Sequence, residues 1–454
     1  MQTVTLQEKN IPVVGCYDTV IAGGGTAGCF AALSALKEGL SVLILEQSGG
    51  VGGMSCAGLV TTAMPSHVPD GSLRERYRSS LLYAPLIGAL EASGDAEIYP
   101  YGSMGFNPER MEEVLETAIV EGGGRILFHT TLIDAVKDGN RIRYAVFYNK
   151  GGLAAVEAKV FIDCTGDADL CVMAGVPTES GNRDGVNQNI SLRFEMAQVD
   201  IPVYEAFMDK LEHSPGGRDA FMRQKYEEGY LREEDIYHFQ TFHIPGKPNC
   251  LSFNCPELGR GVNVIDPWYQ SEKQTYGKQA VFKLARFVKE CVPGFEHAFI
   301  SKISPMLGIR DSRRIRAEYM LTADDVFSFR KFRDGIAASN YPLDAHGEKD
   351  YGKGSGTYDP AVPAGERYYE IPLRCLIPVG VDNLLCAGRC IGTDFLTQST
   401  TRVQFTCQYT GEAAGIAAHY AVRDGLPLRE IDGLSVRRVM ASRGDVLLKK
   451  EYNE

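Results

Sequence analysis

The chain has 454 residues, of which 44% are hydrophobic and 23% charged, and its formal net charge is -11. These values are ordinary for a soluble globular protein of two or three structural units. The acidic balance argues against non-specific binding of nucleic acid, because a polyanion would meet a surface of its own sign. No apolar run approaches the roughly 18 residues of a membrane helix, and the first residues lack a basic stretch followed by an apolar one. We therefore expect a cytoplasmic protein without membrane contact.

The first predicted elements form a βαβ unit. "TVIAG" predicts a buried strand, residues 26–39 have the apolar spacing of a helix, and "SVLILE" predicts a second, parallel strand. Gly23, Gly25 and Gly28 fit G-x-G-x-x-G, which lets a backbone approach a pyrophosphate at a helix N-terminus. Glu46 lies 23 positions after the first of these glycines, where a carboxylate can bind a ribose hydroxyl. The motif alone suits either NAD or FAD.

A second glycine loop follows that strand at once. "EQSGGVGGMSCAG" places Gly49, Gly50, Gly52 and Gly53 just beyond the predicted ribose-binding residue. A second close backbone approach favours a longer cofactor laid across the sheet edge. The alternative is a flexible surface loop.

Further along, Asn107 is predicted to cap a helix that begins at Pro108. Strand-like runs follow, two of them joined by a hairpin turn at "KDGN", and they end in the buried strand and glycine turn of "AKVFIDCTGDADL". Residues 171–374 are richer in aromatic, charged and loop-forming residues, which favours a substrate-facing insertion. From Ile371 short strands return, and "STTRVQFTCQYTGEAAGIAAHYAVRDG" predicts one long helix of small residues.

The chain resembles the FAD proteins of the glutathione-reductase type. The resemblance rests on five motifs in the right order: the first glycine loop, the acidic residue after it, the second glycine loop, the "CTGD" turn, and the C-terminal "NLLCAGRCIG" with the helix after it. Within that superfamily, "GIRDSRRI", "YPLDAHG" and "IPLRCLIP" are similar to the broad group called FAD-dependent oxidoreductases. The resemblance implies one FAD on an α/β, Rossmann-like fold, and it is specific for the cofactor rather than for a substrate.

The domain organisation expected from this resemblance is discontinuous. The FAD-binding domain is assigned to residues 1–70, 107–170 and 371–454, and an inserted α+β substrate or cap domain to residues 71–106 and 171–370.

The resemblance also implies which residues contact FAD. They are Gly23, Gly25, Thr26, Ala27 and Gly28 at the pyrophosphate, Glu46 and Gln47 at the adenosine ribose, Gly52, Gly53 and Met54 at the ribityl and flavin side, Leu132 at the adenine, Thr165 and Gly166 in the "CTGD" turn, and Gly388, Arg389, Arg402 and Val403 near the ribityl chain and the flavin pyrimidine. Many relatives carry an acid where this chain has Arg389, so the contact of that acid with a ribityl hydroxyl is left open.

The expected reaction follows partly from what is missing. A disulfide reductase would carry a second cysteine five residues after Cys56, but this position is Thr61, and no second G-x-G-x-x-G follows a strand. We expect an FAD-dependent dehydrogenase, oxidase or reductase that transfers a hydride between FAD and a small polar molecule, a sugar derivative or a hydroxy acid by fold analogy. The alternatives are a flavoprotein lyase or isomerase without net redox change, and an FAD monooxygenase. The electron partner, the oligomeric state and covalent attachment of FAD are left open.

The predicted catalytic residues lie in the inserted region. His346, in "YPLDAHG", is the preferred base, with Asp344 to orient it. Arg310, in "GIRDSRRIRAEY", is predicted to clamp a substrate carboxylate, with Arg313 and Arg314 on the same face at helical spacing. The alternatives are a surface-loop histidine beside a turn aspartate and a solvated helix face. His67 is the second choice of base.

No metal site is expected from the cysteines. Cys250 and Cys255 are five apart, and Cys386 and Cys390 are four apart, so neither pair has zinc-like spacing. The twelve cysteines are expected to be reduced and mostly buried.

Overall fold

The structure is a computed structural model that describes residues 10–64, 82–99, 102–348 and 362–452. The predicted second-choice base, His67, lies outside the described residues. In chain order the strands are β1 (Val13–Ala22), β2 (Val42–Leu45), β3 (Thr62–Ala63), β4 (Ala96–Ile98), β5 (Met104–Phe106), β6 (Arg125–Leu127), β7 (Thr131–Asp138), β8 (Arg141–Asn149), β9 (Gly152–Asp163), β10 (Thr178–Ser180), β11 (Phe194–Ala197), β12 (Thr241–His243), β13 (Leu251–Phe253), β14 (Phe299–Ile303), β15 (Arg313–Ile315), β16 (Gly335–Ser339), β17 (Tyr369–Pro372) and β18 (Leu384–Cys386).

The α-helices are α1 (Thr26–Lys37), α2 (Ala84–Ala92), α3 (Pro108–Glu121), α4 (Asp169–Met173), α5 (Ile201–Glu212), α6 (Gly217–Glu227), α7 (Glu233–Tyr237), α8 (Pro267–Cys291), α9 (Ala323–Phe327), α10 (Phe395–Thr401), α11 (Gln404–Asp424) and α12 (Gly433–Ser442). No helix in the described part of the chain is both long and apolar enough to cross a membrane.

The central sheet is built on the predicted βαβ unit. Strands β1 and β2 pair in parallel, with Val20 opposite Leu43, and β6 extends the sheet beyond β2. Helix α1 covers this unit with its alanine and Phe30 side chains buried. The predicted helix N-cap is also present, because the Asn107 side chain accepts a hydrogen bond from the backbone N–H of Glu109 at the start of α3.

Strand β9 connects two kinds of pairing in this sheet. Its first half pairs antiparallel with β8, and β7 continues that antiparallel edge. Its last residues pair in parallel with β1 on one side and with β18 on the other. The carboxyl ends of β1 and β9 therefore meet at one edge, where the Cys164 N–H donates to the Ala22 carbonyl at 2.7 Å. This meeting point brings the first glycine loop beside the "CTGD" turn.

Helix α11 packs directly against α1. A Cβ at Gly411 would lie 2.2 Å from the Ala27 carbonyl oxygen, so only glycine permits this approach. The sequence predicts one long helix here, but the structure has two, since Arg402 ends α10 and Val403 has extended backbone angles before α11 begins. The break leaves the first N–H groups of α11 without a side-chain cap.

A second sheet of antiparallel strands lies in the order β12-β13-β11-β14, with α8 among its neighbours. Its core is aromatic, with Phe194 and Phe253 stacked at 4.4 Å between ring centroids, and it buries Phe287 and Phe295. This architecture has the α+β character expected of an inserted domain. The exact domain boundaries stay a prediction, and apolar residues of 82–106 and 321–343 share their core with α1 and α11.

The prediction that Arg310, Arg313 and Arg314 share one helix face is wrong. Residues Arg313–Ile315 form β15, which pairs antiparallel with β10. Arg314 is buried and forms an ion pair with Asp311 at 2.6 Å. Strand pairing sends successive side chains to opposite sides, so the arginines separate instead of aligning.

Candidate active site

The first glycine loop is a backbone cradle at the start of α1. A Cβ at Gly28 would lie 2.0 Å from the Gly23 carbonyl oxygen, and one at Gly23, whose φ is +92°, would lie 2.6 Å from the Cys164 carbonyl oxygen. Gly25, at the N-cap of α1, makes no side-chain capping bond. The first N–H groups of the helix are therefore available to an anion such as a pyrophosphate.

Glu46 braces the loops around this cradle. One oxygen of its buried carboxylate accepts a hydrogen bond from the Gly24 N–H at 2.6 Å. The other accepts from the backbone N–H and the hydroxyl of Ser48, both at 2.7 Å. The oxygen that accepts from Gly24 keeps a second lone pair, so Glu46 can still accept from a ribose hydroxyl.

A cavity of about 570 Å³ runs along this edge of the sheet. Most of the residues predicted to contact FAD line it: Gly23, Gly25, Thr26, Ala27, Glu46, Gln47, Gly53, Met54, Leu132, Thr165, Gly166, Gly388, Arg389 and Arg402. Gly28 and Gly52 are absent from this lining, and Val403 lines a neighbouring cavity instead. We call the first cavity the cofactor groove and the second the polar cavity.

Arg389, the departure from the family pattern, lies across the "CTGD" turn. Its guanidinium forms an ion pair with Asp167 at 2.7 Å and donates to the Ile309 carbonyl at 2.5 Å. A Cβ at Gly166 would lie 2.9 Å from Nε of this arginine. Asp167 also lines the cofactor groove, so the turn supplies a carboxylate that the C-terminal motif lacks.

The polar cavity measures about 490 Å³ and adjoins the cofactor groove. The two share a wall that includes Met54, Ile309, Arg389, Arg402 and Gln404. A substrate in the polar cavity would therefore meet a cofactor in the groove at this wall.

All three predicted catalytic residues line the polar cavity and belong to one network. His346 Nδ1 lies 2.8 Å from Glu257 Oε1, and its Nε2 lies 3.2 Å from Asp344 Oδ2. Arg310 lies 3.3 Å from the same oxygen of Glu257, and Arg402 lies 3.4 Å from Asp344. The predicted alternative, a surface-loop histidine, does not fit, because the His346 side chain is only 18% exposed.

The two carboxylates are held ionised. Burial alone would raise the pKa of Glu257, but the hydrogen bond with His346 and the charge of Arg310 outweigh it and lower that pKa to about 2. Burial also opposes ionisation of Asp344, whose pKa is lowered well below its usual range by His346 and Arg402. An ionised carboxylate only accepts hydrogen bonds, so a His346 nitrogen that hydrogen-bonds to either carboxylate must be the donor in that contact.

His238 was missed by sequence reasoning. It follows α7, lines the polar cavity, and its ring lies edge-on to that of His346 at 5.5 Å. Burial lowers its pKa to about 4, with help from Arg310 and His346 and against the effect of Glu257. Its buried Nε2 has no hydrogen-bond partner among the described residues. No motif in "EEDIYHFQTFH" indicates such a ring.

Arg193, also missed, precedes β11 and lies buried in the cavity wall. Its guanidinium donates to the Leu59 carbonyl at 3.3 Å and to Asn254 Oδ1 at 2.5 Å, and both partners are neutral. Burial and the charges of Arg310 and Arg402 lower its pKa to about 9. A single arginine before a strand carries no sequence signal of this kind.

Cys56 lies behind the second glycine loop and is buried. Burial raises the pKa of its thiol well above the usual range, so the thiol is a weak nucleophile.

The chain matches the family described as FAD dependent oxidoreductase over residues 18–440. A digeranylgeranylglycerophospholipid reductase from Methanosarcina acetivorans is 27% identical over 209 residues, which cover 44% of this chain and 50% of that protein. The match thus spans about half the length of this curated relative.

Among solved structures, p-nitrophenol 4-monooxygenase from Pseudomonas putida is 12% identical, with a TM-score of 0.48, over 96% of this chain and 88% of the other. A geranylgeranyl bacteriochlorophyll reductase-like protein from Thermoplasma acidophilum is 11% identical, with a TM-score of 0.45, over 96% and 84%. TM-scores below 0.5 at these identities carry no information about the substrate of this chain. The family match covers nearly the whole chain, so this α/β protein with a Rossmann-like parallel sheet belongs to the FAD-dependent oxidoreductases and is an oxidoreductase enzyme whose cofactor is FAD.

Proposed function

We propose that the chain transfers a hydride between FAD and a small organic anion that carries a carboxylate beside the reacting carbon, as a hydroxy acid does. Arg193 carries this proposal, because its buried guanidinium has only neutral partners among the described residues, and an added anion would stabilise it. A neutral sugar derivative would leave that charge uncompensated.

The charge of the whole cavity supports the same substrate class. Five arginines line it against three carboxylates; the arginines are Arg193, Arg218, Arg310, Arg389 and Arg402, and the carboxylates are those of Glu257, Asp344 and Glu348. Nε of Arg402 is buried without a hydrogen-bond partner among the described atoms. One substrate carboxylate would satisfy this donor and balance the surplus positive charge.

We infer that FAD lies along the cofactor groove, with its pyrophosphate at the start of α1. The free N–H groups of α1, the backbone approach permitted by Gly23 and the carboxylate of Glu46 support this position. The uncapped start of α11 lies beside the shared wall and suits the pyrimidine side of the flavin. The order of the five motifs supports assignment of the FAD-binding unit to the glutathione-reductase type.

FAD would supply the hydride acceptor or donor, and the residues of the polar cavity would bind and orient the substrate. Arg310 keeps its predicted role as a carboxylate clamp, because it lies in the cavity wall with Glu257 as its counter-ion. His346, with Asp344, stays the predicted acid–base residue, because its two ring nitrogens each face a carboxylate in the wall of the polar cavity.

The test is anaerobic reduction of the flavin, followed by its absorbance, with glycolate, lactate and malate compared with glucose at equal concentration. We expect bleaching by a hydroxy acid and not by glucose. The Arg193→Met variant should raise KM by about 10- to 100-fold, since a hydrogen bond to a charged group contributes about 1.5–3 kcal/mol. Arg316→Met is the control, because Arg316 is half exposed and pairs with Glu179 at 2.7 Å. Equal bleaching by glucose, or an unchanged KM in Arg193→Met, would contradict the proposal.

An FAD monooxygenase is the second candidate. Membership of the FAD-dependent oxidoreductases fits a monooxygenase at least as well as it fits oxidation of a sugar derivative or hydroxy acid. A monooxygenase would leave its flavin oxidised in the presence of substrate alone, would need a reduced nicotinamide, and would incorporate labelled oxygen from O₂. A lyase or isomerase would form product with neither lasting bleaching nor oxygen uptake.

A further inference from the structure

We propose that His238, Glu257 and His346 form a binding site for one divalent first-row transition-metal ion in the polar cavity. The candidate ligand atoms, one from each residue, all lie within 4.8 Å of one another. Two imidazole nitrogens and one carboxylate oxygen are a donor set that such ions prefer. Cysteine spacing gave no reason to expect a metal, because none of these ligands is a cysteine.

His238 presents the ligand atom in the form that a metal needs. Nε2 is buried and has no hydrogen-bond partner among the described residues. A neutral imidazole carries its proton on one ring nitrogen, so Nε2 has a free lone pair in the tautomer protonated on the other nitrogen. A buried lone pair without a donor is unfavourable in the free protein, and a metal ion would remove that cost.

His346 has the surroundings of a metal-bound histidine. Its Nδ1 faces Glu257 Oε1 at 2.8 Å, so an ion that replaced the Nδ1 proton would contact both residues. Its Nε2 faces Asp344 at 3.2 Å. A ligating histidine commonly donates its other ring N–H to a carboxylate, which fixes the ring and strengthens the ligand. Glu257 is positioned as well, because its second carboxylate oxygen accepts from Asn189 at 2.7 Å.

The required rearrangement is small. Ligands bound at about 2.1 Å in a tetrahedron lie about 3.4 Å apart, so the most distant of these atoms must approach by at most about 1.4 Å. Three protein ligands leave a fourth position for an oxygen from the cavity. The site does not depend on the proposed substrate class, although an ion bound to His346 would replace the acid–base role of that ring. The assignment of the fourth position to a substrate hydroxyl or carboxylate rests on the proposed function.

The positive charge of the neighbouring arginines affects the affinity of the site for a metal ion. Arg310 lies 3.3 Å from the ligating oxygen of Glu257, and Arg193 and Arg402 add further positive charge to the cavity. Repulsion from these groups weakens binding of a dication, and an anionic hydroxy acid would offset it. We therefore expect metal and hydroxy acid to strengthen each other's binding, and the coupling must be reciprocal.

The experiment uses the full chain with FAD bound, freed of metal by a chelator and titrated with Zn²⁺ by calorimetry in the presence and absence of malate. We expect one Zn²⁺ per chain and tighter binding with malate. His238→Gln and Glu257→Gln should each weaken Zn²⁺ binding by at least about 100-fold, and Asp344→Asn by about 10- to 100-fold. His243→Gln is the matched control, since His243 also faces a carboxylate, Glu205 at 3.0 Å, but is exposed. Retained FAD and an unchanged circular dichroism spectrum would show that each variant is folded.

The outcomes separate the two proposals. Absence of a stoichiometric site in the unaltered protein, or a His238→Gln variant that binds Zn²⁺ as tightly as the His243→Gln control, would overturn the metal site. Substitution of Co²⁺ adds a spectroscopic test, because a tetrahedral site with nitrogen and oxygen ligands gives intense visible bands that His238→Gln should lose. Zn²⁺ binding without any bleaching by hydroxy acids would leave the metal site standing and remove the proposed substrate class.

Discussion

The close contact between the first glycine loop and α1 makes Gly28→Ala the most informative single substitution. The added methyl group would lie 2.0 Å from the Gly23 carbonyl oxygen and 3.3 Å from the Cys164 side chain. An ordinary contact needs about 3.4 Å or more, so α1 must move by more than 1 Å from the end of β1, and backbone cannot rotate aside as a side chain can. Overpacking of this kind costs about 1–3 kcal/mol, and we expect the upper end here.

The displacement also separates the free N–H groups of α1 from the rest of the cradle, so cofactor retention should fall more than stability does. The assay is the ratio of FAD to protein after gel filtration, together with the Tm from calorimetry. Gly88→Ala is the matched control, because Gly88 is also helical and a Cβ there would meet nothing within 4 Å. It should keep full FAD content and gain up to about 1 kcal/mol. A Gly28→Ala protein with stoichiometric FAD and an unchanged Tm would refute the reasoning.

Two further predictions concern charged groups away from the cavities. Arg437 and Glu370 form a wholly buried ion pair at 2.8 Å. Arg437→Met should therefore lower the free energy of unfolding by about 3–5 kcal/mol in urea titrations, and the added change Glu370→Gln should recover part of this loss. An equally unstable double variant would mean that the arginine acts mainly through its other contacts. Burial would raise the pKa of Glu109, but Lys247 and Lys302 outweigh it and lower that pKa to about 2. Because the folded value lies below the unfolded one, the stabilisation is complete above about pH 4.5 and is lost as the pH falls toward 2. The half-exposed site limits this to about 1 kcal/mol, and Glu109→Gln should flatten the acid limb of a plot of Tm against pH.

The sequence predicts the cofactor-binding unit well because its constraints are local. Gly23 and Gly28 are only five residues apart and pack closely against each other. Asn107 caps a helix that starts at the next residue, and its side chain accepts from Glu109 two residues further on. Such local contacts require particular residues at fixed spacings, which can be recognised in the sequence. The parallel pairing of β1 with β9 is consistent with the same signals, since each strand has a short apolar run near its end, at 20–22 and 160–162, and is followed by a glycine turn.

The polar cavity could not be predicted in the same way. Arg193, His238, Glu257 and His346 come from four separate loops, so no spacing in the chain brings them together. The arginines of "GIRDSRRI" repeat with helical spacing, yet pairing with β10 determines their conformation. Long-range pairing can override a short local pattern, and a site assembled from loops shows this most clearly.

The wall between the two cavities also limits how the enzyme can be redesigned. Arg402 ends one helix, its successor Val403 opens the next, and its side chain reaches Asp344 across the cavity. A change made there to admit a new substrate would also disturb the helix start beside the cofactor, so selectivity and redox potential would shift together. The side formed by Gln240 and Phe242, immediately before β12 and within it, lines the polar cavity but not the cofactor groove. Libraries that vary this side should alter substrate preference while the potential of the flavin stays constant.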